Sequence, residues 1–345
     1  MSRFTIASNQ GDIAGGEVML LQLAAAARDL GHDVTVVGPA SPPDLCDRAA
    51  NEGSDVVRIP GANARSYLRN LRRWDRQHRR GLLWCNGLRP AFATTGHPYR
   101  VVHLHQVPEG KLKMLAAIAR RGVLRTVVPS RTMQSQVARS DVLMNWSLPP
   151  AQTRPPRPMG DPVRLGFLGR LSPDKGVLVL ADTMRLLEAR TPGRYTLLLA
   201  GATRFVPPRE ATAVEESLAR LGTNVERVGW MDRDAFFSQV DLAVFPSTWP
   251  EPFGLVVTEA MAARRPFVVS DAGALPEVAG TDHPWIARHG DAEDLARTIE
   301  SATTAPQDDV VERSYHRWLQ EFSPDAGRTA LAALLAELDQ EGGKQ

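Results

Sequence analysis

The chain alternates short apolar runs with longer amphipathic stretches over most of its length. The apolar runs are rich in β-branched residues and bounded by turn residues, so they predict strands, which lie at residues 4–8, 34–38, 56–59, 82–85, 101–104, 127–128, 163–168, 195–199, 225–228, 242–245 and 267–269. The amphipathic stretches predict helices at residues 18–30, 65–79, 174–188, 209–221, 234–240, 254–263 and 323–338. Strand–helix alternation of this kind predicts parallel sheets covered by helices on both faces.

A proline-rich segment divides this pattern into two halves. Six prolines fall between residues 149 and 162, and proline removes backbone donors and interrupts helices, so the segment predicts a linker. A length of 345 residues also favours two domains. We therefore expect an α/β protein with two doubly wound Rossmann-like domains facing a cleft, at residues 1–150 and 151–322. A final helix, at about 323–345, could pack back on the first domain.

Composition limits the chemistry and the setting. The two cysteines, Cys46 and Cys85, are too few for a disulfide framework or a thiolate metal cage, so we expect buried free thiols. No run of about 18 apolar residues could span a membrane. The first residues become polar too early for a signal peptide. These features favour a cytoplasmic protein.

The charge is unevenly distributed. Residues 1–154 carry 21 basic and 11 acidic side chains, whereas the remainder carries 20 and 28. Much of the excess lies in residues 65–80, where Tyr67, Leu71 and Trp74 share a helical stripe. Three interpretations remain open: the stripe packs on the sheet with solvated arginines, the segment makes a peripheral contact with an anionic membrane, or the arginines bind an anionic acceptor. No recognisable nucleic-acid-binding module accompanies the charge, so we expect no nucleic-acid partner.

Candidate chemistry lies in the loops that follow the strands, because ligands of open parallel sheets bind at the carboxyl ends of strands. After the strand at 242–245, Gly254 opens a helix whose N-terminus suits a phosphate. Glu251 precedes that start, and Glu259 lies roughly 7–8 Å further along the helix. After the strand at 163–168, Arg170 and Lys175 offer compensating cations.

The first half contains a second set of candidates. Gly15 and Gly16 precede a helix, where a phosphate or sugar could approach closely. His103 and His105 share one face of a strand end, but no third metal ligand is evident. Asp232 and Asp234 resemble a metal-binding D-x-D motif, yet their place before a helix favours an N-cap. We therefore predict no metal site.

Taken together, these residues resemble retaining glycosyltransferases of family 4, which have the GT-B fold. The signature E-x7-E is matched by Glu251 and Glu259 within EPFGLVVTEAMA, and the motif G-R-L-x-x-x-K-G by residues 169–176. The N-terminal G-G-x-E is matched by residues 15–17. The resemblance covers nearly the whole chain, and its more specific motifs lie in the second half.

The resemblance implies roles for the matching residues. It assigns Glu251 and His105 to catalysis, with His105 facing the reacting sugar. It implies donor binding by Gly15, Gly16, Arg170, Lys175, Trp230, Phe253, Gly254, Leu255 and Glu259. Arg170 and Lys175 would bind the diphosphate, Glu259 the ribose, and Trp230 would lie near the base. The 151–322 domain would bind the nucleotide sugar, and the 1–150 domain the acceptor.

The implied reaction is metal-independent, retaining glycosyl transfer to a small-molecule or lipid-linked acceptor, with a nucleotide-diphosphate sugar as substrate and no cofactor. Two alternatives belong to other classes. One is a nucleotide-sugar epimerase of GT-B fold, and the other is a catalytically inactive protein that binds sugar nucleotides.

Overall fold

The computed structural model describes residues 3–151, 159–204 and 206–342. The chain forms two compact units. One comprises Met1–Trp146 with Pro324–Gln345, and the other comprises Ser147–Ser323. The division therefore follows Trp146 rather than residue 150. The centre of the proline-rich segment, residues 152–158, lies outside the described residues.

The first unit is built on a seven-stranded parallel sheet in the order β3-β2-β1-β4-β5-β6-β7. Its strands are β1 (Arg3–Ser8), β2 (Asp33–Pro39), β3 (Asp55–Ile59), β4 (Leu82–Asn86), β5 (Arg100–His103), β6 (Arg125–Val128) and β7 (Asp141–Val142). Its connecting helices are α1 (Gly15–Asp29), α2 (Asp44–Asn51), α3 (Ala64–His78), α4 (Leu88–Ala93), α5 (Lys111–Ala119) and α6 (Arg131–Gln136).

The second unit repeats the plan with a six-stranded parallel sheet in the order β10-β9-β8-β11-β12-β13. Its strands are β8 (Val163–Leu168), β9 (Tyr195–Ala200), β10 (Val225–Gly229), β11 (Leu242–Phe245), β12 (Phe267–Ser270) and β13 (Ile286–Ala287). Its helices are α7 (Val177–Arg190), α8 (Pro208–Ala219), α9 (Arg233–Phe237), α10 (Leu255–Ala262), α11 (Leu275–Ala279), α12 (Ala292–Thr304) and α13 (Asp308–Arg317).

The last helix, α14 (Pro324–Gly342), belongs to the first unit. Leu331, Leu335 and Leu338 join the apolar core on the α1 side of the sheet. A Cβ atom at Gly327 would lie only 2.2 Å from Cδ2 of the buried Trp146 indole. A glycine at this position lets the helix approach closely enough to bury those leucines.

One predicted helix begins later than its apolar pattern indicates. The pattern predicts a helix from residue 174, but residues Pro173–Lys175 form a 3₁₀ turn and α7 begins at Val177. Gly176 interrupts the helix with a positive φ of 77°, and a Cβ there would lie 1.8 Å from the Pro246 carbonyl oxygen. The loops after β8 and β11 therefore touch at a site that only glycine fits.

The apolar stripe of the basic segment faces the protein interior. Tyr67 and Leu71 are buried in the core on the α3 side of the first sheet, and Trp74 packs against it. Arg72 Nη1 donates to the carbonyl oxygens of Ala93 and Thr95, at 2.8 and 2.9 Å. The interpretation that the stripe packs on the sheet is confirmed, and the stripe is not available for insertion into a membrane.

Strand order reverses once in each sheet, between β1 and β4 and between β8 and β11. At such a point the two outgoing connections run to opposite faces, which opens a crevice at the carboxyl ends of the strands. No helix within the described residues is long and apolar enough to cross a membrane.

Candidate active site

Two loops of the second unit meet at the reversal between β8 and β11. The backbone N–H groups of Thr248 and Trp249 donate to the Asp174 carbonyl oxygen at 3.0 and 3.1 Å. Thr248 Oγ1 donates to the Pro173 carbonyl oxygen at 2.9 Å. These bonds fix the Arg170–Lys175 loop against the loop that carries Glu251.

Glu251 is held rigidly between the two loops. It is 8% exposed, and its Oε1 accepts hydrogen bonds from Lys175 Nζ at 2.5 Å and from Ser247 Oγ at 2.6 Å. Gly273 backs it with a positive φ of 61°, where a Cβ would lie 2.3 Å from the Glu251 nitrogen. The Glu251 carboxylate thus forms an ion pair with Lys175, and its two hydrogen bonds fix its orientation.

The other cation of this loop is also paired but accessible. Arg170 Nη2 donates to Asp174 Oδ2, and 42% of the arginine side chain is exposed. Burial opposes ionisation of Asp174, but hydrogen bonding by Ser172 and the charges of Arg170 and Lys175 hold the pKa of Asp174 below its usual range. Lys175 is 34% exposed, so an anionic ligand could reach both cations.

The N-terminus of α10 lies immediately after Glu251 in the chain. Gly254 is its N-cap, with a φ of 99° and no capping side chain. The Phe253 side chain turns away and packs on the Phe322 ring, with 5.7 Å between centroids. The first-turn N–H groups therefore lack a side-chain cap, and the helix dipole adds partial positive charge.

Glu259 lies in the same helix in a mostly buried position. Its side chain is 17% exposed, and its Oε1 lies 3.9 Å from Arg233 Nη1. Burial raises the pKa of Glu259 to about 7, opposed by the charge of Arg233. Trp230, by contrast, is 85% exposed. Asp232 caps α9 by accepting from the Asp234 and Ala235 N–H groups, as the sequence predicts.

The reversal between β1 and β4 brings together the candidates of the first unit. Gly15 and Gly16 open α1, whose N-cap has no capping side chain. Asn86, at the end of β4, donates from Nδ2 to the Gly16 carbonyl oxygen at 3.0 Å and accepts at Oδ1 from His105 Nε2 at 2.8 Å. A Cβ at Gly16 would touch the His105 ring at 3.4 Å.

Several partners of these residues have no role predicted from the sequence. Ser247 bonds Glu251, Arg233 faces Glu259, Asn86 joins Gly16 to His105, and Gly273 supports Glu251. Asn86 and Ser247 are polar residues directly at or after strand ends, a signal that could have found them. Within residues 3–151, 159–204 and 206–342, no three His, Cys, Asp or Glu side chains are grouped to hold a metal ion.

The fold agrees with that of known proteins. The family model "Glycosyltransferase Family 4" matches residues 13–142, and "Glycosyl transferases group 1" matches residues 162–304. Anabaena Alr3699/HepE, solved in complex with UDP and glucose, superposes with a TM-score of 0.84 at 20% identity, over 97% of this chain and 100% of that one. The molecule therefore has the GT-B fold.

Two sequence relatives extend the match. A phosphatidyl-myo-inositol mannosyltransferase of Mycolicibacterium smegmatis is 26% identical over 84% of this chain and 81% of the relative. An uncharacterized 42.6 kDa protein in the cps region of Klebsiella pneumoniae is 32% identical, but the match covers 33% of this chain and only 28% of that protein. The chain belongs to the glycosyltransferases of the family 4 type.

The buried Glu259 makes stability depend on pH. Because its folded pKa is about 7, against 4.5 for the free group, the folded state binds this proton more tightly than the unfolded chain. The resulting stabilisation is complete below about pH 4.5 and is lost as the pH rises through about 7. When the pH is raised from about 5 to about 8, the wild type should therefore lose on the order of 2 kcal/mol of unfolding free energy relative to Glu259→Gln.

Urea unfolding of the wild type and of Glu259→Gln, at about pH 5 and at about pH 8, measures this change. Glu17, whose pKa burial also raises to about 7, is common to both proteins and cancels in the comparison. Glu216→Gln, on an exposed position of α8, is the control and should show no such trend. Parallel pH dependences of Glu259→Gln and the wild type would contradict the assignment.

Proposed function

We propose that the protein transfers a hexosyl group from a nucleotide-diphosphate sugar to an acceptor hydroxyl, with retention of configuration and without a divalent metal. The observation that carries the proposal is the cluster of Lys175, Ser247 and Glu251 next to the uncapped N-terminus of α10. That cluster combines positive charge for a diphosphate with a fixed carboxylate for a hydroxyl-rich ligand.

Charge is the first argument. A departing nucleoside diphosphate gains negative charge as its bond to the sugar stretches. Arg170 and Lys175 supply two cationic groups at one strand reversal, and the first turn of α10 adds the partial positive charge of its N–H groups. Preorganised charge of this kind lowers a barrier without reorganising during the reaction. These groups can take the part that a divalent cation plays in other enzymes.

Hydroxyl recognition is the second argument. Glu251 retains acceptor capacity beyond its bonds to Lys175 and Ser247, which suits a hydroxyl of the donor sugar. Glu259 is mostly buried, and its Oε1 lies 3.9 Å from Arg233 Nη1. Burial raises its pKa to about 7, and its oxygens can hydrogen-bond the ribose hydroxyls. The backbone of Phe253, Gly254 and Leu255 serves the phosphate, and Trp230 the base. Gly15 and Gly16 serve donor binding, with Gly16 at the diphosphate, and His105 serves the reacting sugar.

The proposed step is a front-face displacement. The bond between the anomeric carbon and the diphosphate oxygen breaks as the acceptor oxygen bonds the same face of that carbon. The acceptor proton passes to the departing phosphate oxygen, so atoms and charge balance. The transition state resembles an oxocarbenium ion. The relative's name, phosphatidyl-myo-inositol mannosyltransferase, supports a lipid-linked acceptor, and a small-molecule acceptor is the other candidate.

The first test is donor binding. Thermal unfolding against UDP, GDP, TDP, ADP and their sugars should reveal one stabilising base, because a ligand at a hundredfold excess over its dissociation constant adds about 2.7 kcal/mol. The shift should persist in EDTA and disappear in Arg170→Ala/Lys175→Ala. The same double variant should lose about 100-fold or more in kcat.

Arg185→Ala removes an exposed arginine of α7 that pairs with Asp182 and is the matched control. It should bind the donor as the wild type does. If no nucleotide stabilises the wild type, or if EDTA abolishes the shift, the donor site or its metal independence is wrong. Conversion of the donor to an isomeric nucleotide sugar without transfer would favour the epimerase.

Stereochemistry is a separate prediction. The anomeric proton of the first product formed should show the same configuration as the donor sugar in ¹H NMR spectra recorded during the reaction. Retention is expected because a front-face attack delivers the acceptor to the side that the diphosphate leaves. A product of inverted configuration would exclude this mechanism while leaving donor binding intact.

A peripheral membrane contact through residues 65–80 would be electrostatic, since the apolar stripe of α3 is buried. Arg65, Arg69, Arg73 and Arg80 are exposed, whereas Arg72 is bonded to backbone carbonyls. Each basic side chain near an anionic surface contributes about 1 kcal/mol. Arg69→Gln/Arg73→Gln should therefore weaken sedimentation with phosphatidylglycerol vesicles by roughly 30-fold.

Arg185→Gln/Arg288→Gln, which neutralises two exposed arginines of the second unit, is the matched control and should bind vesicles as the wild type does. Binding should also fall with salt, because screening weakens exposed charges. If the wild type does not sediment with anionic vesicles at low salt, the membrane contact is wrong.

A further inference from the structure

Asn86 connects two parts of the first unit through both ends of its amide. It is 1% exposed, with Nδ2 bonded to the Gly16 carbonyl oxygen at 3.0 Å and Oδ1 bonded to His105 Nε2 at 2.8 Å. A carbonyl oxygen can only accept, so the amide NH₂ must face Gly16. The amide oxygen then faces His105, and Nε2 must carry the proton.

This arrangement decides what the other ring nitrogen can do. A neutral imidazole has a single N–H, so a proton on Nε2 leaves a lone pair on Nδ1. Among the described residues, Asn86 is the only hydrogen-bond partner of the His105 ring, and His105 is partly exposed. Burial lowers the pKa of His105 to about 4, which keeps the ring neutral at physiological pH.

The surroundings of the ring do not favour a charge. His103 of the same strand end lies with its ring centroid 4.1 Å away and is fully buried. Burial is the main cause that lowers the pKa of His103 well below its usual range, and the charge of His105 lowers it further. Helix α1 places Gly16 next to the His105 ring. The following residue, Glu17, accepts a hydrogen bond from Gln10 Nε2. Strand β4 contributes Asn86 itself.

We infer that Asn86 is a positioning residue that fixes His105 in the Nε2-protonated tautomer, so that Nδ1 accepts a hydrogen bond from a substrate hydroxyl. The inference rests on the proposed function for its substrate, but the tautomer itself does not. It has a consequence for specificity. A hydroxyl can donate to Nδ1, whereas a carboxylate, carbonyl or phosphate oxygen cannot, so the site favours a sugar with a free hydroxyl at that place.

The direct test is ¹⁵N NMR of protein labelled at histidine, with the His105 signals assigned by their absence in His105→Gln. The wild type should show an unprotonated Nδ1 and a protonated Nε2 at neutral pH. Asn86→Ala should shift both signals toward a mixture of tautomers. A wild-type ring protonated on Nδ1, or signals unchanged by Asn86→Ala, would overturn the inference whether or not the protein transfers sugar.

A second variant reverses the chemistry of the ring. Asn86→Asp keeps an oxygen beside Nε2 but places a carboxylate there, which favours the imidazolium and should raise the His105 pKa by more than one unit. Its Nδ1 would then donate instead of accepting. Transfer by this variant should fall at low pH and recover as the pH rises through the new pKa. A pH profile identical to that of the wild type would contradict the assignment.

Kinetics supply a matched comparison. Asn86→Ala should lower kcat/KM for transfer about tenfold, as expected for a misdirected hydrogen bond. Asn70→Ala also removes an amide that donates to a carbonyl, that of Pro60 at 2.8 Å, but lies on α3 away from His105. It should retain both activity and tautomer. Equal losses in the two variants would assign Asn86 a structural role only.

Discussion

The reversal of strand order in each parallel sheet is the constraint on which both candidate sites depend. Where neighbouring strands send their connections to opposite faces, the carboxyl ends of the strands are left uncovered. In the second unit this happens between β8 and β11, and the loops with Lys175 and Glu251 meet there. In the first unit it happens between β1 and β4, which brings Gly16 and Asn86 together. Residues far apart in the chain thus become neighbours.

Glycine makes this convergence sterically feasible. Gly176 lets the loop after β8 touch the Pro246 carbonyl, and Gly273 lets its own loop pass behind Glu251. Both residues have positive φ values, which any side chain would strain. The result is an ion pair and a serine hydroxyl that hold one carboxylate oxygen, beside a helix start without a side-chain cap. Rigid polar groups of this kind suit a charged leaving group better than mobile ones.

The charged and polar groups of the two units differ in how deeply they are buried. In the second unit the cations Arg170 and Lys175 are paired with carboxylates and remain partly exposed. In the first unit burial keeps His105 neutral, and Asn86 directs its proton. The basic helix α3 illustrates the same distinction, because its apolar stripe is buried while part of its arginine-rich face stays in solvent.

The sequence by itself determined the alternation of strands and helices and the two-part organisation, because periodicity and local spacing carry that information. Its motifs indicated a family 4 glycosyltransferase through their resemblance to that family. It placed Arg170, Lys175 and Glu251 in loops that follow strands and Glu259 in a helix, which is where the structure has them. Only the tertiary structure decided their partners, such as Ser247 for Glu251, Arg233 for Glu259 and Asn86 for His105. The inward direction of the α3 stripe and the docking of α14 through Gly327 were also decided there. The physical reason is that such contacts join residues distant in the chain, and one sequence carries no distances between them.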